Sequence, residues 1–154
     1  MTVELIYWDS DCFLGWFQEE PGKVEACSGT LKRAQDGEVV IVSSALTIAE
    51  VLWLRGGPRL PEEKSALIRG FFRRPYIRIR NVTRHLAEAA QDIVWKQSIK
   101  PKDAIHVATA LDANALTLET FDEGLIGKSG SVGSPLALTI RRPIPTAQTE
   151  LFPR

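Results

Sequence analysis

Two carboxylates, Asp9 and Asp11, stand where the apolar run "LIYW" stops, in "LIYWDSDCF". Three more acids sit in comparable places: Glu50 in "TIAEVLWL", Asp103 in "KPKDAIHVATAL" and Asp122 in "LETFDEGL". An acid at the end of a buried strand fits a turn, a phosphatase nucleophile pair or a metal site. Each also has a plain structural reading as a helix cap or solvated turn residue, and Asp103 as a first-turn acid favoured by the helix dipole. Glu50 is harder to read that way, because its neighbours are apolar and a buried carboxylate needs a base or a cation beside it. If these acids converge, their mutual repulsion calls for a cation. Oxygen ligands in a chain with only two histidines suit Mg2+ or Mn2+ better than zinc.

The elements that would position these acids follow from hydrophobic patterning. Residues 3–8 read as a buried strand, and "DSDCFLGWFQEE" as a loop or short helix halted at Pro21. A helix follows, closing on Gly37. "EVVIVSS" is the second strand, apolar without alternation as in a parallel sheet buried on both faces. "SSALTIAEVLWLRGG" reads as a helix with Ser44 or Thr47 as cap, Ala49, Leu52 and Trp53 on one face, and Gly56–Gly57–Pro58 as its stop. "PEEKSALIRGFFRR" reads as a helix, "YIRIRNV" as a strand with one wet face, and "TRHLAEAAQDIVWKQS" as a helix capped by Thr83. "KPKDAIHVATALDAN" is a helix entered through Pro101. "ALTLETFD" is a strand ending in an acid, and residues 136–140, "LALTI", form a last strand. Strands alternating with helices predict an α/β fold with a mainly parallel sheet. In such sheets ligands bind beyond the carboxyl ends of the strands. That is where Asp9 and Asp122 fall directly, and where Glu50 sits about a turn into the helix that the second strand feeds.

Length and composition bound the rest. The 154 residues suit one domain, taken as 1–142 with an extended tail at 143–154. No apolar run reaches the roughly 20 residues of a membrane span, and the acidic, lysine-free start predicts no signal peptide, so a cytoplasmic protein is expected. Cys12 and Cys27 lack zinc or disulfide spacing and read as small buried thiols. The net charge is zero but unevenly spread: nine acids against three bases in residues 1–54, then nine bases against two acids in 55–84. The basic stretch "RGFFRRPYIRIR" offers Arg73, Arg74, Arg78 and Arg80 to phosphates, with Phe71, Phe72 and Tyr76 as stacking faces. The same arginines fit an acidic protein segment equally well, and the two phenylalanines also read as core.

Taken in order, "LIYWDSDCFLGWF", "LTIAEVL", "KPKDAIHVATAL" and "LETFDEGL" resemble the PIN domain, and within it the VapC-type ribonucleases of toxin–antitoxin systems. The resemblance spans roughly residues 3–126. It implies a three-layer α/β/α sandwich and Mg2+- or Mn2+-dependent hydrolysis of RNA phosphodiesters. It also implies an antitoxin partner and a homodimer, for which Trp16 and Phe17 offer a self-association surface. The family's four acids fall on Asp9, Glu50, Asp103 and Asp122, as both catalytic residues and metal ligands, and its small hydroxyl residue on Thr120. Asp11 departs from the polar residue common there and is expected to cap the next helix or support a second ion. His106, one turn after Asp103, is expected to pack or hydrogen-bond rather than bind metal.

Two rivals remain at this stage. "DSD" also fits the opening motif of haloacid-dehalogenase-like phosphatases, with Ser43 or Ser44 as the hydroxyl and Lys100 or Lys102 as the lysine. Against it, Cys12–Phe13 replaces the usual residues after the motif, and only Asp122–Glu123 serves as the late acid pair. The other rival is a catalytically silent PIN-like module that binds RNA or protein.

Overall fold

The computed structural model describes residues 2–53 and 59–145. Five strands, β1 (Glu4–Trp8), β2 (Val39–Ser44), β3 (Ile77–Arg80), β4 (Thr117–Glu119) and β5 (Thr139–Arg141), form one sheet in the order β3-β2-β1-β4-β5. Every pairing is parallel. The helices are α1 (Ser10–Phe17), α2 (Lys23–Gln35), α3 (Ala45–Glu50), α4 (Ser65–Phe72), α5 (Arg84–Gln97), α6 (Pro101–Asp112) and α7 (Glu123–Ile126), with a 3-10 turn at Glu62–Lys64.

Alternation along β1 divides the core, because successive side chains of a strand point to opposite faces. Ile6 and Trp8 enter one cluster with Cys12 and Phe13 of α1, Leu31 of α2, and Phe71 and Phe72 of α4. Tyr7 enters the other with Leu86 of α5, Val107 of α6 and Leu125 of α7. Helices therefore cover both faces, which is the α/β/α sandwich expected. The edge strand β3 buries Ile77 and exposes Arg78 and Arg80, as its alternation predicted. Among the described residues no helix is long and apolar enough to cross a membrane.

Three local expectations fail. The third helix stops at Glu50, and Trp53 pairs antiparallel with Arg59. Its buried positions are Thr47 and Val51, four apart, while Ala49, Leu52 and Trp53 are exposed. The cause is anchoring to β2: Ser43 Oγ donates to Trp8 O at 2.7 Å and, its one proton spent there, accepts from the Thr47 hydroxyl at 2.8 Å, turning Thr47 inward. Ser44, not Thr47, is the cap. The predicted stop at Gly56–Gly57–Pro58 lies outside the described residues, as does 146–154 of the predicted tail. The last strand begins at Thr139 rather than residue 136, because Leu138 spends its N–H on Val132 O and its carbonyl on Gly130 N. Finally, Trp16 and Phe17 are half-buried against the α1/α2/α4 core, and Phe17 packs on Phe13, Phe71 and Phe72. Part of each ring is thus taken up by packing within the chain, and Phe71 and Phe72, buried in the same cluster, offer no stacking faces.

Candidate active site

Asp9 leaves β1 in extended conformation and caps α1, its Oδ1 accepting the Asp11 N–H at 3.1 Å. This overturns the expectation that Asp11 is the cap. The cap must be the last non-helical residue, and that is Asp9, so Asp11 falls in the first turn. The parallel register sets Trp8 beside Glu119. The next residues, Asp9 and Thr120, therefore meet, and the Thr120 hydroxyl donates to Asp9 Oδ2 at 2.5 Å. Thr120 Oγ1 also accepts the Asp122 N–H at 3.1 Å, and Asp122 caps α7 through Leu125 N at 3.2 Å.

Asp9 is 3% exposed. Burial, with the neighbouring charge of Asp11, pushes its carboxyl up to about 7, against partial relief from His106 and Thr120. Burial thus favours the protonated form of a metal-free Asp9, and a cation at this point would restore its charge.

Glu50 closes α3 and meets His106 of α6, with Nε2 to Oε1 at 2.7 Å. The other imidazole nitrogen, Nδ1, lies 2.6 Å from the Tyr7 hydroxyl. Burial opposes charging of His106, but the Glu50 hydrogen bond and the charges of Asp9 and Asp103 outweigh it and hold the imidazole above its ordinary value. The base that pairs with the half-buried Glu50 is thus His106, in the hydrogen-bonding role expected of it.

Asp9, Asp11, Glu50 and Asp103 line one cleft of about 800 Å3, with Lys100, Lys102 and Trp53. Asp122 lies beyond that lining. It shares an adjoining pocket of about 280 Å3 with Asp103 and another of about 440 Å3 with Asp11. All five acids therefore line three pockets that share Asp11 or Asp103 as a common wall. Among the described residues no three His, Cys, Asp or Glu side chains form a ready-made metal-holding group. Asp9 and Glu50 instead direct oxygens to Thr120 and His106. The donors are all oxygens, which fits a hard divalent cation.

The predicted arginines are elsewhere. Arg74 sits over the Phe71 ring at 5.0 Å and donates to Tyr76 Oη at 2.9 Å. Arg80 pairs with Asp112, nine residues along α6 from Asp103, about 14 Å of helical rise. Arg73 and Arg78 are exposed, and none of the four lines the acidic pockets. Among the described residues the cations that do line them are Lys100, Lys102, Lys23 and Lys128. A signal for three of these was present in the sequence. Lys100 is the N-cap of α6, Lys102 lies in its first turn, and Lys23 opens α2. A positive charge at a helix N-terminus opposes the dipole, and such local violations gather at functional sites.

Sequence reading also missed Glu119. It is 1% exposed and accepts from Trp8 Nε1 at 2.8 Å and the Thr30 hydroxyl at 2.6 Å, with Arg141 at 3.4 Å. As the residue before Thr120 it points to the other face of the sheet and ties α2 to β1, away from the cleft.

The phosphatase reading loses its hydroxyl here. Ser43 is fully buried on Trp8 O and Thr47, and Ser44 caps α3.

Comparison with known proteins agrees with this architecture. The PIN domain family profile matches residues 6–129. No curated protein matches the chain. Among solved structures, the Mycobacterium tuberculosis VapC20, described as a sarcin–ricin loop cleaving toxin, superposes with a TM-score of 0.60 at 16% identity, covering 76% of this chain and 89% of that one. A toxin–antitoxin complex from Klebsiella pneumoniae gives 0.53 at 20% identity, covering 84% and 92%. FitAB bound to a DNA fragment gives 0.52 at 21% identity, covering 77% and 86%. At these identities the likeness is one of fold.

Proposed function

We propose, from the premise that this chain belongs to the PIN domain family, that it is a divalent-metal-dependent endoribonuclease acting as the toxin of a toxin–antitoxin pair. The observation that carries the reading is the meeting of Asp9, Asp11, Glu50 and Asp103, from three separate helix starts and ends, in one lysine-flanked cleft. Asp9, Glu50, Asp103 and Asp122 are the residues that would hold Mg2+ or Mn2+. When bound, such an ion polarises a phosphoryl oxygen and lowers the pKa of a coordinated water.

The protein's own residues supply the rest. Lys100 and Lys102 border the cleft and are placed to hold the charged RNA backbone, as point charges rather than bidentate readers. Thr120 orients Asp9 and pins the Asp122 turn. Asp11 lines the rim and adds to the negative field that raises Asp9. Leu14, Leu46 and Trp53 give the same cleft an apolar part.

The test is cleavage of RNA hairpins, beginning with a sarcin–ricin-type loop since a fold neighbour is described as cutting one. Cleavage should require Mg2+ or Mn2+, stop with EDTA, and disappear in Asp9→Asn and Asp122→Asn. Variants that cut like the wild type would overturn the acidic-cleft reading. The antitoxin partner draws support from the fold neighbour solved as a toxin–antitoxin complex. A small protein co-purifying when both genes of the locus are expressed, and suppressing cleavage, tests it. Light scattering of the purified chain tests the homodimer that the resemblance implies.

A further inference from the structure

We infer that His106, backed by Tyr7, is the positioning residue of the cleft: it donates from Nε2 to Glu50 Oε1 and fixes that carboxylate for a divalent ligand. The inference rests on the nuclease reading for its purpose, but its geometry stands apart from it.

Both contacts are short, 2.7 Å to Glu50 and 2.6 Å to Tyr7. Both supporting groups are enclosed, His106 at 1% exposure and Tyr7 at 0%. The rings also meet edge to face, with centroids 5.7 Å apart at 61°. The imidazole therefore has no room to swing. The partners assign its protons: an ionised carboxylate only accepts, so Nε2 carries hydrogen, and in the neutral ring Nδ1 accepts from the Tyr7 hydroxyl.

The three residues lie on elements that carry or lead into three of the acids. Tyr7 is two residues before Asp9 on β1, His106 three after Asp103 on α6, and Glu50 ends α3. One hydrogen-bonded chain thus sets the relative placement of Asp9, Asp103 and Glu50. Glu50 needs this most. Its helix has only six residues and ends with it, and a glutamate side chain has much rotamer freedom to lose on ordering. His106 occupies one Glu50 oxygen and leaves the second for a ligand.

Two substitutions separate these roles. In His106→Gln the amide nitrogen reaches the place of Nε2 and still donates to Glu50. In His106→Asn the shorter amide reaches only the place of Nδ1, toward Tyr7. The readouts are Mn2+ affinity by electron paramagnetic resonance titration, melting temperature in EDTA, and kcat and KM on a cleaved RNA hairpin. Partners of metal-binding groups are worth about 10–100-fold in metal affinity, so His106→Asn is expected to lose that much Mn2+ affinity while His106→Gln stays within about threefold of wild type. The loss should fall on kcat rather than on KM for RNA. Tyr7→Phe keeps the ring and removes only the outer bond, and should lose less than His106→Asn; it decides the matter if His106→Asn does not fold. Equal Mn2+ affinity in wild type, His106→Asn and Tyr7→Phe overturns the inference, as does equal loss in the Asn and Gln variants, which marks a packing role. A wild type that binds Mn2+ in this pattern but cleaves no RNA sinks the nuclease reading and leaves the positioning role standing. A wild type that binds no Mn2+ overturns both.

Discussion

Thr120 donates its hydroxyl to Asp9 Oδ2 at 2.5 Å, joining residues 111 positions apart at the ends of neighbouring parallel strands. Through the Asp122 N–H the same oxygen holds the last acid of the site. Thr120→Val keeps the shape and removes both bonds. It should cost about 1–3 kcal/mol of stability by leaving buried groups unpaired, and slow cleavage about 10–100-fold. Thr120→Ser should retain most of each. Chemical denaturation and single-turnover cleavage check the pair, and a valine variant as active as the serine variant would refute the role.

Asp9 predicts an unusual pH dependence of stability in the metal-free protein. Its carboxyl rises from 3.8 to about 7, through burial first and then Asp11. The native state then binds that proton more tightly than the unfolded chain does. Stability must fall as pH rises from about 4 to about 7 and level off above, by at most about 4 kcal/mol from this group. Melts in EDTA should show the fall in wild type and not in Asp9→Asn, which should be the more stable protein at pH 8 despite losing activity. Mn2+ at pH 8 should raise the wild-type melting temperature alone. Parallel pH curves for the two proteins would contradict this.

The lysines, not the arginines, are expected to meet the substrate. Lys100→Gln and Lys102→Gln should each raise KM several-fold and reduce the salt slope of RNA binding by about 0.7 for a single strand, at nearly unchanged kcat. Arg73→Gln and Arg74→Gln should leave RNA binding unaltered, since neither lines the acidic pockets. Filter binding across a range of KCl concentrations distinguishes them, and a slope lowered only in the arginine variants would reverse the assignment.

Glu119 should matter for stability and not for chemistry. Glu119→Ala strands Trp8 Nε1, the Thr30 hydroxyl and Arg141. Removing one member of such a buried set costs about 3–5 kcal/mol, taken toward the lower end because Arg141 is partly exposed. Urea unfolding measures the loss. Mn2+ affinity of the folded variant should match wild type, because the carboxylate faces away from the cleft.

Asp9 and Asp122 were readable in sequence for a simple reason. Each follows a short apolar run, and in a parallel sheet the residue after a strand belongs to the ligand-binding edge. Glu50 was readable as a carboxylate in apolar company that must have a partner. What could not be read was the partner itself. His106 lies 56 residues away and its identity depends on how α6 settles over β1 and β2. The third helix was overextended for a related reason: "ALTIAEVLWL" is periodic throughout, and only the Ser43–Thr47 anchor shows that its inward face runs through Thr47 and Val51.

The amino-acid sequence by itself therefore determined the strand and helix order, the two-faced burial of β1 and β2, and the position of Asp9 and Asp122 just after their strands. These are local properties, set by period, propensity and the residue types at strand ends. The tertiary structure alone decided which of Asp9 and Asp11 caps α1, which cations border the acids, and that Glu50, His106 and Tyr7 form one chain. Those depend on parallel register and on helices packing across the sheet, where residues far apart in sequence are brought within about 3 Å of each other.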